Sequence, residues 1–256
     1  MSNNKKNEGD LAEVKAFWNR HPCGAEYVDD EAPYLSPKFF DESKRIRYKY
    51  HYHIPRDISE LKRLRPGGRA LEIGVGIGCD TEQLVRSGFN VSGIDLTEVA
   101  VEATNARLQH HGLIADVKQG DAENLQFPDN HFDVVYSFGV LHHSPDTQKT
   151  LDEVHRVLKP GGLALIMLYH KNSLNYWAHV ITKTQYDGFK GDWCPIERAY
   201  TTNEVKNMLQ KFTSVATKPD YLFGTGWGRV NWFAPEFIKR PIGKFIGWHL
   251  MIWATK

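Results

Sequence analysis

The chain has 256 residues, 41% hydrophobic and 25% charged, with 32 Lys and Arg against 31 Asp and Glu for a net charge of +1. This is the composition of a globular protein with a sizeable core, and it provides no global field to attract nucleic acid or an anionic membrane. Cys23, Cys79 and Cys194 lack CxxC spacing, the polar start to residue 10 lacks a secretory signal, and the longest apolar run, 245–254, is far short of the ~20 residues of a membrane-spanning helix. A reducing, cytoplasmic setting is expected.

Three regions follow one another along the chain. Residues 11–64 mix charges with aromatics and read as helices broken at Pro22, Pro33, Pro37 and Pro55, an N-terminal cap assigned to residues 1–65. Between residues 69 and 169, β-type runs alternate with helical stretches: strand 70–73, helix 81–86, strand 90–94, helix 98–110, strand 115–119, strand 132–138 and helix 147–158. A buried strand, 163–168, follows the Lys159-Pro160-Gly161-Gly162 stop. Such alternation predicts an α/β fold, a doubly wound and mostly parallel sheet with helices on both faces, in a core spanning 66–170. The remainder, 171–256, is read as an acceptor lid and a closing β-hairpin. It contains a helix at 202–211, a strand at 213–219, an aromatic loop at 221–242 and a last strand at 247–254.

The most informative segment is Leu71-Glu72-Ile73-Gly74-Val75-Gly76-Ile77-Gly78, an apolar strand running into alternating glycines before a helix, where backbone can approach a ligand closely. The dinucleotide fingerprint wants a further glycine at residue 79, which is Cys79, so a nicotinamide oxidoreductase is disfavoured. Asp95 ends the next strand, where a carboxylate can accept both ribose hydroxyls, and Asp121 follows the third. Both stand on the carboxyl edge where open α/β sheets bind ligands, although either can also cap the helix after it.

These residues, with Gly120-Asp121-Ala122, the run 132–135 through Leu141-His142-His143 and the segment 151–162, resemble class I S-adenosylmethionine-dependent methyltransferases over residues 69–169. The resemblance implies a seven-stranded sheet with an antiparallel last strand and S-adenosylmethionine as cofactor. Glu72, Gly74, Gly76 and Gly78 would lie at its methionyl end, Asp95 at the ribose, Leu96, Asp121 and Ala122 around adenine, and Phe138 beside the sulfonium. The Asn-Pro-Pro-Tyr of related amide and base methylating enzymes is absent, Ser137-Phe138-Gly139-Val140 standing in its place, which disfavours a nucleic-acid acceptor.

A sulfonium leaving group is already activated, so orientation, desolvation and where needed a base are what the protein must add. His142, His143 and His170 are the candidate bases, while His51 and His53 read as solvated cap residues. No His, Asp or Glu run has metal-ligand spacing, so no metal is expected. Candidate acceptor residues are Arg47 and Tyr50 in the cap, and Tyr176, Trp193 and Tyr200 in the aromatic insertion 171–200. A second aromatic and basic stretch, 227–248, includes Arg229, Trp232, Lys239, Arg240 and Lys244 and could bind single-stranded nucleic acid, touch a membrane surface or pack a hairpin; the near-neutral overall charge favours packing or a local acceptor site. The expected function is methyl transfer to a small-molecule acceptor, aromatic or lipophilic, at oxygen or nitrogen; the alternatives are a non-catalytic adenosyl-ligand binder and a nicotinamide-dependent oxidoreductase.

Overall fold

The structure is a computed structural model that describes residues 9–25, 28, 32–189, 191–224, 227 and 233–256, with only the backbone of Glu236. Arg229 and Trp232 lie outside the described residues, as does most of the polar start.

Helix α1 (Leu11–Arg20) begins with a reciprocal cap in which the Asp10 side chain accepts from the Glu13 N–H and Glu13 reaches back to the Asp10 N–H. Helix α2 (Pro37–Tyr50) starts at Ser36, whose hydroxyl accepts from the Phe39 N–H, with Pro37 at the first helical position, where no N–H is missed. Helix α3 (His53–Leu64) places Ile54, Ile58 and Leu61 on one face at helical spacing. That face is buried in the same apolar cluster as the strand residues Ala70, Val134, Tyr136 and Leu165.

From residue 69 onward strands and helices alternate as expected: β1 (Arg69–Ile73), α4 (Cys79–Arg86), β2 (Asn90–Asp95), α5 (Glu98–His110), β3 (Asp116–Gln119), β4 (Phe132–Phe138), α6 (Thr147–Val157) and β5 (Leu158–His170). The largest revision in this stretch is at β5, which starts at Leu158 rather than Leu163. Phe132 of β4 pairs with Leu158 and Val134 pairs with Leu163, so the Lys159-Pro160-Gly161-Gly162 segment is an irregularity within the strand rather than a turn before it. Gly161 supplies the left-handed backbone this requires, at φ 73°.

The C-terminal part contains α7 (Leu174–Thr182), β6 (Gly188–Phe189) paired with β7 (Asp192–Trp193), β8 (Ala199–Tyr200), α8 (Thr202–Met208), β9 (Ser214–Asp220), α9 (Glu236–Ile246) and β10 (His249–Thr255). The stretch expected to be a loop at 221–242 thus runs into a helix, although Pro241 interrupts its hydrogen bonding. The main sheet follows the order β3-β2-β1-β4-β5-β10-β9, and β8 pairs in parallel with the end of β5. β10 is antiparallel to both its neighbours as expected, but it lies inside the sheet, and β9 is the edge.

The pleat sorts the core. Leu71, Ile73, Val135, Ala164, Ile166, Leu168, Leu250 and Ile252 face the side covered by α6 and α8; the intervening Ala70, Val134, Tyr136, Leu163, Leu165, Met167 and Met251 face the side of α3 and α4. Chain order reverses between β1 and β4, so the loops after these strands part and leave a crevice at their carboxyl ends.

Candidate functional site

That crevice opens into a cavity of about 1030 Å³, bounded by the loops after β1, β2, β3 and β4, by α1 and α2, and by the insertion after β5. A ligand pocket for one small molecule runs to roughly 300–1,000 Å³, so this cavity lies at the upper end of that range.

The first end is built by the glycine segment. Gly74, Gly76 and Gly78 have φ of 83°, 53° and 78°, a region glycine enters without strain. Gly76 directs its N–H to Asp95 Oδ2 at 3.1 Å, while Asp95 Oδ1 accepts from the Thr97 N–H at 3.0 Å and its hydroxyl at 2.9 Å. A carboxylate has about four lone-pair sites, so Asp95 has capacity left after fixing the loop. Burial raises its carboxyl above the usual range, opposed by the hydrogen bonds from Thr97 and Gly76. Leu96, Gly120, Asp121 and Ala122 complete this end of the wall. Gly78 does not reach the cavity: a β-carbon there would meet Thr104 of α5 at 3.0 Å, so this glycine serves helix packing.

Midway, Glu72, Arg47 and Asp80 face the cavity; Asp80, an acid in the first turn of α4, is not among the residues expected from sequence. Arg47 donates to Asp80 from Nε at 2.9 Å and from its terminal nitrogen at 2.5 Å. The hydroxyl of Tyr136 donates to Asp80 at 2.8 Å and that of Tyr48 at 3.2 Å. Burial pushes the Asp80 carboxyl up, but Arg47 and these hydrogen bonds prevail and hold it below the ordinary value. Glu72 accepts from the Thr81 hydroxyl at 2.6 Å, and burial together with the Asp80 charge moves its carboxyl well up. A concave carboxylate and guanidinium pair beside a glycine cradle suits a zwitterionic amino-acid moiety such as the methionyl end of S-adenosylmethionine.

Beyond Phe138 the wall becomes aromatic: Trp18, His51, Tyr169, Tyr186, Tyr221, Trp248 and His249 all line it, with His143 and Asp187 among them. Tyr169 stacks on Trp248 at 4.2 Å and donates from its hydroxyl to Asp187 Oδ1 at 2.9 Å. Asp187 is held in turn by Glu197, whose carboxylate accepts the backbone N–H groups of Tyr186 and Asp187 at 2.8–3.0 Å. His143 Nδ1 is 2.6 Å from the Ile196 carbonyl, and its Nε2 is 3.6 Å from Asp187 Oδ2. A carbonyl only accepts, so Nδ1 carries the proton and Nε2 presents a lone pair. Asp187 Oδ2 has no hydrogen-bond partner, so two acceptors face each other with no donor between them. His142, His143 and Asp187 bring one ligand atom each within 4.8 Å of one another, a cluster that spacing could not reveal because Asp187 comes from the insertion.

Several expected residues sit elsewhere. His142 is fully buried behind Tyr169, their rings 4.0 Å apart, and His170 hydrogen-bonds the Gly247 carbonyl at 3.0 Å; neither is on the wall. Tyr200 donates to the Thr147 hydroxyl at 2.9 Å and packs on the α6 and α8 side, and Tyr176 backs Tyr186 from behind. Arg47, Tyr50 and Trp193 do reach the cavity. His51 and His53 are not solvated: the turn between α2 and α3 points inward, His53 is fully buried with Nε2 3.1 Å from His249 Nδ1, and His51 lines the wall. Cys23 is exposed at the same wall.

Residues 71–166 match a family model described as a methyltransferase domain. The chain is 31% identical over 185 residues to the ubiquinone/menaquinone biosynthesis C-methyltransferase UbiE of Azotobacter vinelandii, covering 68% of this chain and 71% of the relative. Over 141 residues it is 36% identical to phosphoethanolamine N-methyltransferase 2 of Caenorhabditis elegans, and over 103 residues 35% identical to sterol 24-C-methyltransferase ERG6B of Gibberella zeae. It spans only 30% and 27% of the length of these two relatives. The fold is similar to the crystal structure of an S-adenosylmethionine-dependent methyltransferase, a possible histamine N-methyltransferase, from Thermotoga maritima. The TM-score is 0.63 at 20% identity, covering 95% of this chain and 99% of that one.

Proposed function

The chain belongs to the class I S-adenosylmethionine-dependent methyltransferases, and from that premise we propose that it methylates an oxygen or nitrogen of a small, aromatic or lipophilic molecule held in the aromatic half of the cavity. S-adenosylmethionine would supply an activated methyl group and leave as S-adenosylhomocysteine. The observation that carries the proposal is the single cavity running from Asp95 past Glu72 and Phe138 to His143 and Asp187.

In this reading Asp95 and Asp121 orient the nucleoside, Glu72 takes the amino group of the methionyl moiety and Arg47 its carboxylate, with Gly74 and Gly76 allowing close approach. The acceptor lies against Tyr169, Trp248 and Tyr186. Its hydroxyl or amine donates into the gap between His143 Nε2 and Asp187 Oδ2, and the proton it loses passes to that nitrogen; Tyr169 and Glu197 hold Asp187 in position. General-base assistance of this sort contributes about 10²–10⁴-fold. His142 and His170 act through packing. Residues 1–65 form the cap, 66–170 hold the cofactor and 171–256 supply the lid and the last strands. Three cysteines, none of them in a disulfide, suit a cytoplasmic setting. Among the described residues no helix is long and apolar enough to cross a membrane.

Calorimetric titration with S-adenosylhomocysteine, and with NADH in parallel, tests the premise. Saturable one-to-one binding of the thioether alone is expected and opens an acceptor screen; binding of NADH alone overturns the proposal. Tight thioether binding with no turnover across a broad panel of phenols, amines and lipids would instead make the protein a ligand binder.

A further inference from the structure

Helix α9 is amphipathic in the inverted sense. Phe237, Ile238, Ile242, Phe245 and Ile246 are all exposed, Phe237 and Phe245 by 77% and 78%, and Phe233 just before the helix by 76%. At about 100° per residue these five helix side chains fill one arc of about 180°. The opposite side meets the protein. Gly243 is buried there, where a β-carbon would come within 3.2 Å of the Leu222 backbone nitrogen, and Arg240 lies 4.5 Å from the Tyr52 ring. A glycine permits the contact, and the apolar arc is turned outward against the usual preference.

Helix α7 repeats the arrangement. Its Asn175 and His179 line the cavity, while Trp177, Val180 and Ile181 are exposed. Both helices flank the acceptor end of the cavity: α7 contributes wall residues directly, and α9 packs on Tyr221, which is also in the wall.

We propose that α9, supported by α7, is a membrane-surface anchor that lies in the interface of an anionic bilayer. Eleven residues rise only about 16 Å, too short to span the hydrocarbon and suited to lying in its plane. Lys239 and Lys244 flank the arc, and with Arg240 the segment holds three cations against one acid, Glu236, in a chain whose net charge is only +1. That charge selects the occupant. A second copy docked through the same face about a two-fold axis would bring the three cations toward themselves, whereas anionic headgroups neutralise them while acyl chains cover the phenylalanines. The anchor would set the aromatic half of the cavity beside the lipid phase, which rests on the proposed acceptor class; attachment itself does not.

The test is co-sedimentation of the full chain with vesicles of phosphatidylcholine, and of phosphatidylcholine with about a third phosphatidylglycerol, at low and high salt. Binding to the anionic vesicles that weakens with salt is expected. The double substitution Phe237→Ser and Phe245→Ser should lower it by at least about tenfold through lost apolar burial, and Lys239→Glu with Lys244→Glu should abolish the preference for phosphatidylglycerol. Phe237, Lys244 and Phe245 are exposed, Lys239 is half-buried, and all four lie outside the cavity wall, so S-adenosylhomocysteine affinity should be unchanged in both variants, which confirms that they fold. Failure of the unaltered protein to sediment with anionic vesicles overturns the proposal. A dimer in gel filtration that the phenylalanine variant dissociates, without vesicle binding, would give the face to a second copy. Neither outcome bears on whether the cavity binds S-adenosylhomocysteine.

Discussion

Gly74 and Val140 leave no room for a methyl group between them: a β-carbon at residue 74 would lie 2.1 Å from Val140 Cγ2 and 2.9 Å from Cγ1. The two residues follow the carboxyl ends of β1 and β4, the strands between which chain order reverses. Closure of the crevice floor therefore depends on hydrogen being the side chain at residue 74.

Gly74→Ala should accordingly cost at least about tenfold in S-adenosylhomocysteine affinity, because either loop must shift or Val140 must move into the cavity. Adding Val140→Ala should restore part of the loss. Gly88→Ala is the control: it has φ 91° with nothing within 4 Å, so it incurs backbone strain alone, of about 1–3 kcal/mol, with no change in affinity. Calorimetry and thermal unfolding on the three variants separate the two effects. Equal affinity for Gly74→Ala would show that the loops adapt.

Asp187→Asn tests the base. It keeps the size of the side chain and the contact with Tyr169 but removes the charge opposite His143 Nε2. Using the acceptor found by screening, kcat should fall by about 10²-fold or more while S-adenosylhomocysteine affinity stays unchanged. EDTA should leave the unaltered enzyme active. Activity lost to EDTA and restored by zinc or manganese would assign His142, His143 and Asp187 to a cation instead.

Arg107 concerns stability. It is fully buried and donates to the Ile77 carbonyl at 2.7 Å, to Glu82 at 3.0 Å and to the Ser43 hydroxyl at 2.6 Å, with its guanidinium 4.9 Å from the Phe40 ring. One side chain of α5 thus ties the glycine segment, α4 and α2 together. Arg107→Ala should destabilise by about 3–5 kcal/mol, since it leaves a cavity and unpaired buried acceptors, and should weaken cofactor binding because Ile77 lies in the glycine loop. A thermal midpoint within a degree or two of the parent would refute this.

Acid should unfold the protein through its histidines before its carboxylates. His53 and His249 are buried and His51 is half-buried beside them, and lost hydration lowers all three; His53 falls to about 4 although Asp220 opposes the shift, and Arg47 and Arg56 add to it. The unfolded chain takes up protons near the ordinary histidine value of about 6.5 while the folded one resists, so stability is fully present above that pH and is lost as pH falls through the window between 6.5 and 4. His53 alone contributes on the order of 3 kcal/mol to this loss. Thermal midpoints between pH 7.5 and 5 should drop, and His53→Gln should flatten the drop. A pH-independent midpoint across that range would mean that the three histidines protonate in the folded state.

The end of the cavity built by the glycine segment and Asp95 was legible because it depends on local rules. The turn after β1 needs glycine at positive φ, and an acid at a strand end stands on the ligand edge whatever else surrounds it. The aromatic end was not. His51 and His53 looked solvated because alternating polar residues give no hint that a turn points inward, and Asp187 sits in an insertion with no periodicity to place it. Asp80 carried only the signal of an acid in a helix first turn, and its role arises from Arg47, a residue 33 positions earlier. The residues of α9 read as loop from sequence because their apolar pattern suits either state.

Periodicity of two and of 3.6, glycine positions and turn chemistry are properties of a few neighbouring residues, so the order of elements, the parallel sheet and the cofactor class follow from sequence alone. Which histidine meets a carboxylate, which aromatic reaches the cavity and which face of a helix is turned outward depend on side chains tens to hundreds of residues apart. Those relations are set by how the layers pack, and only the tertiary structure decided them.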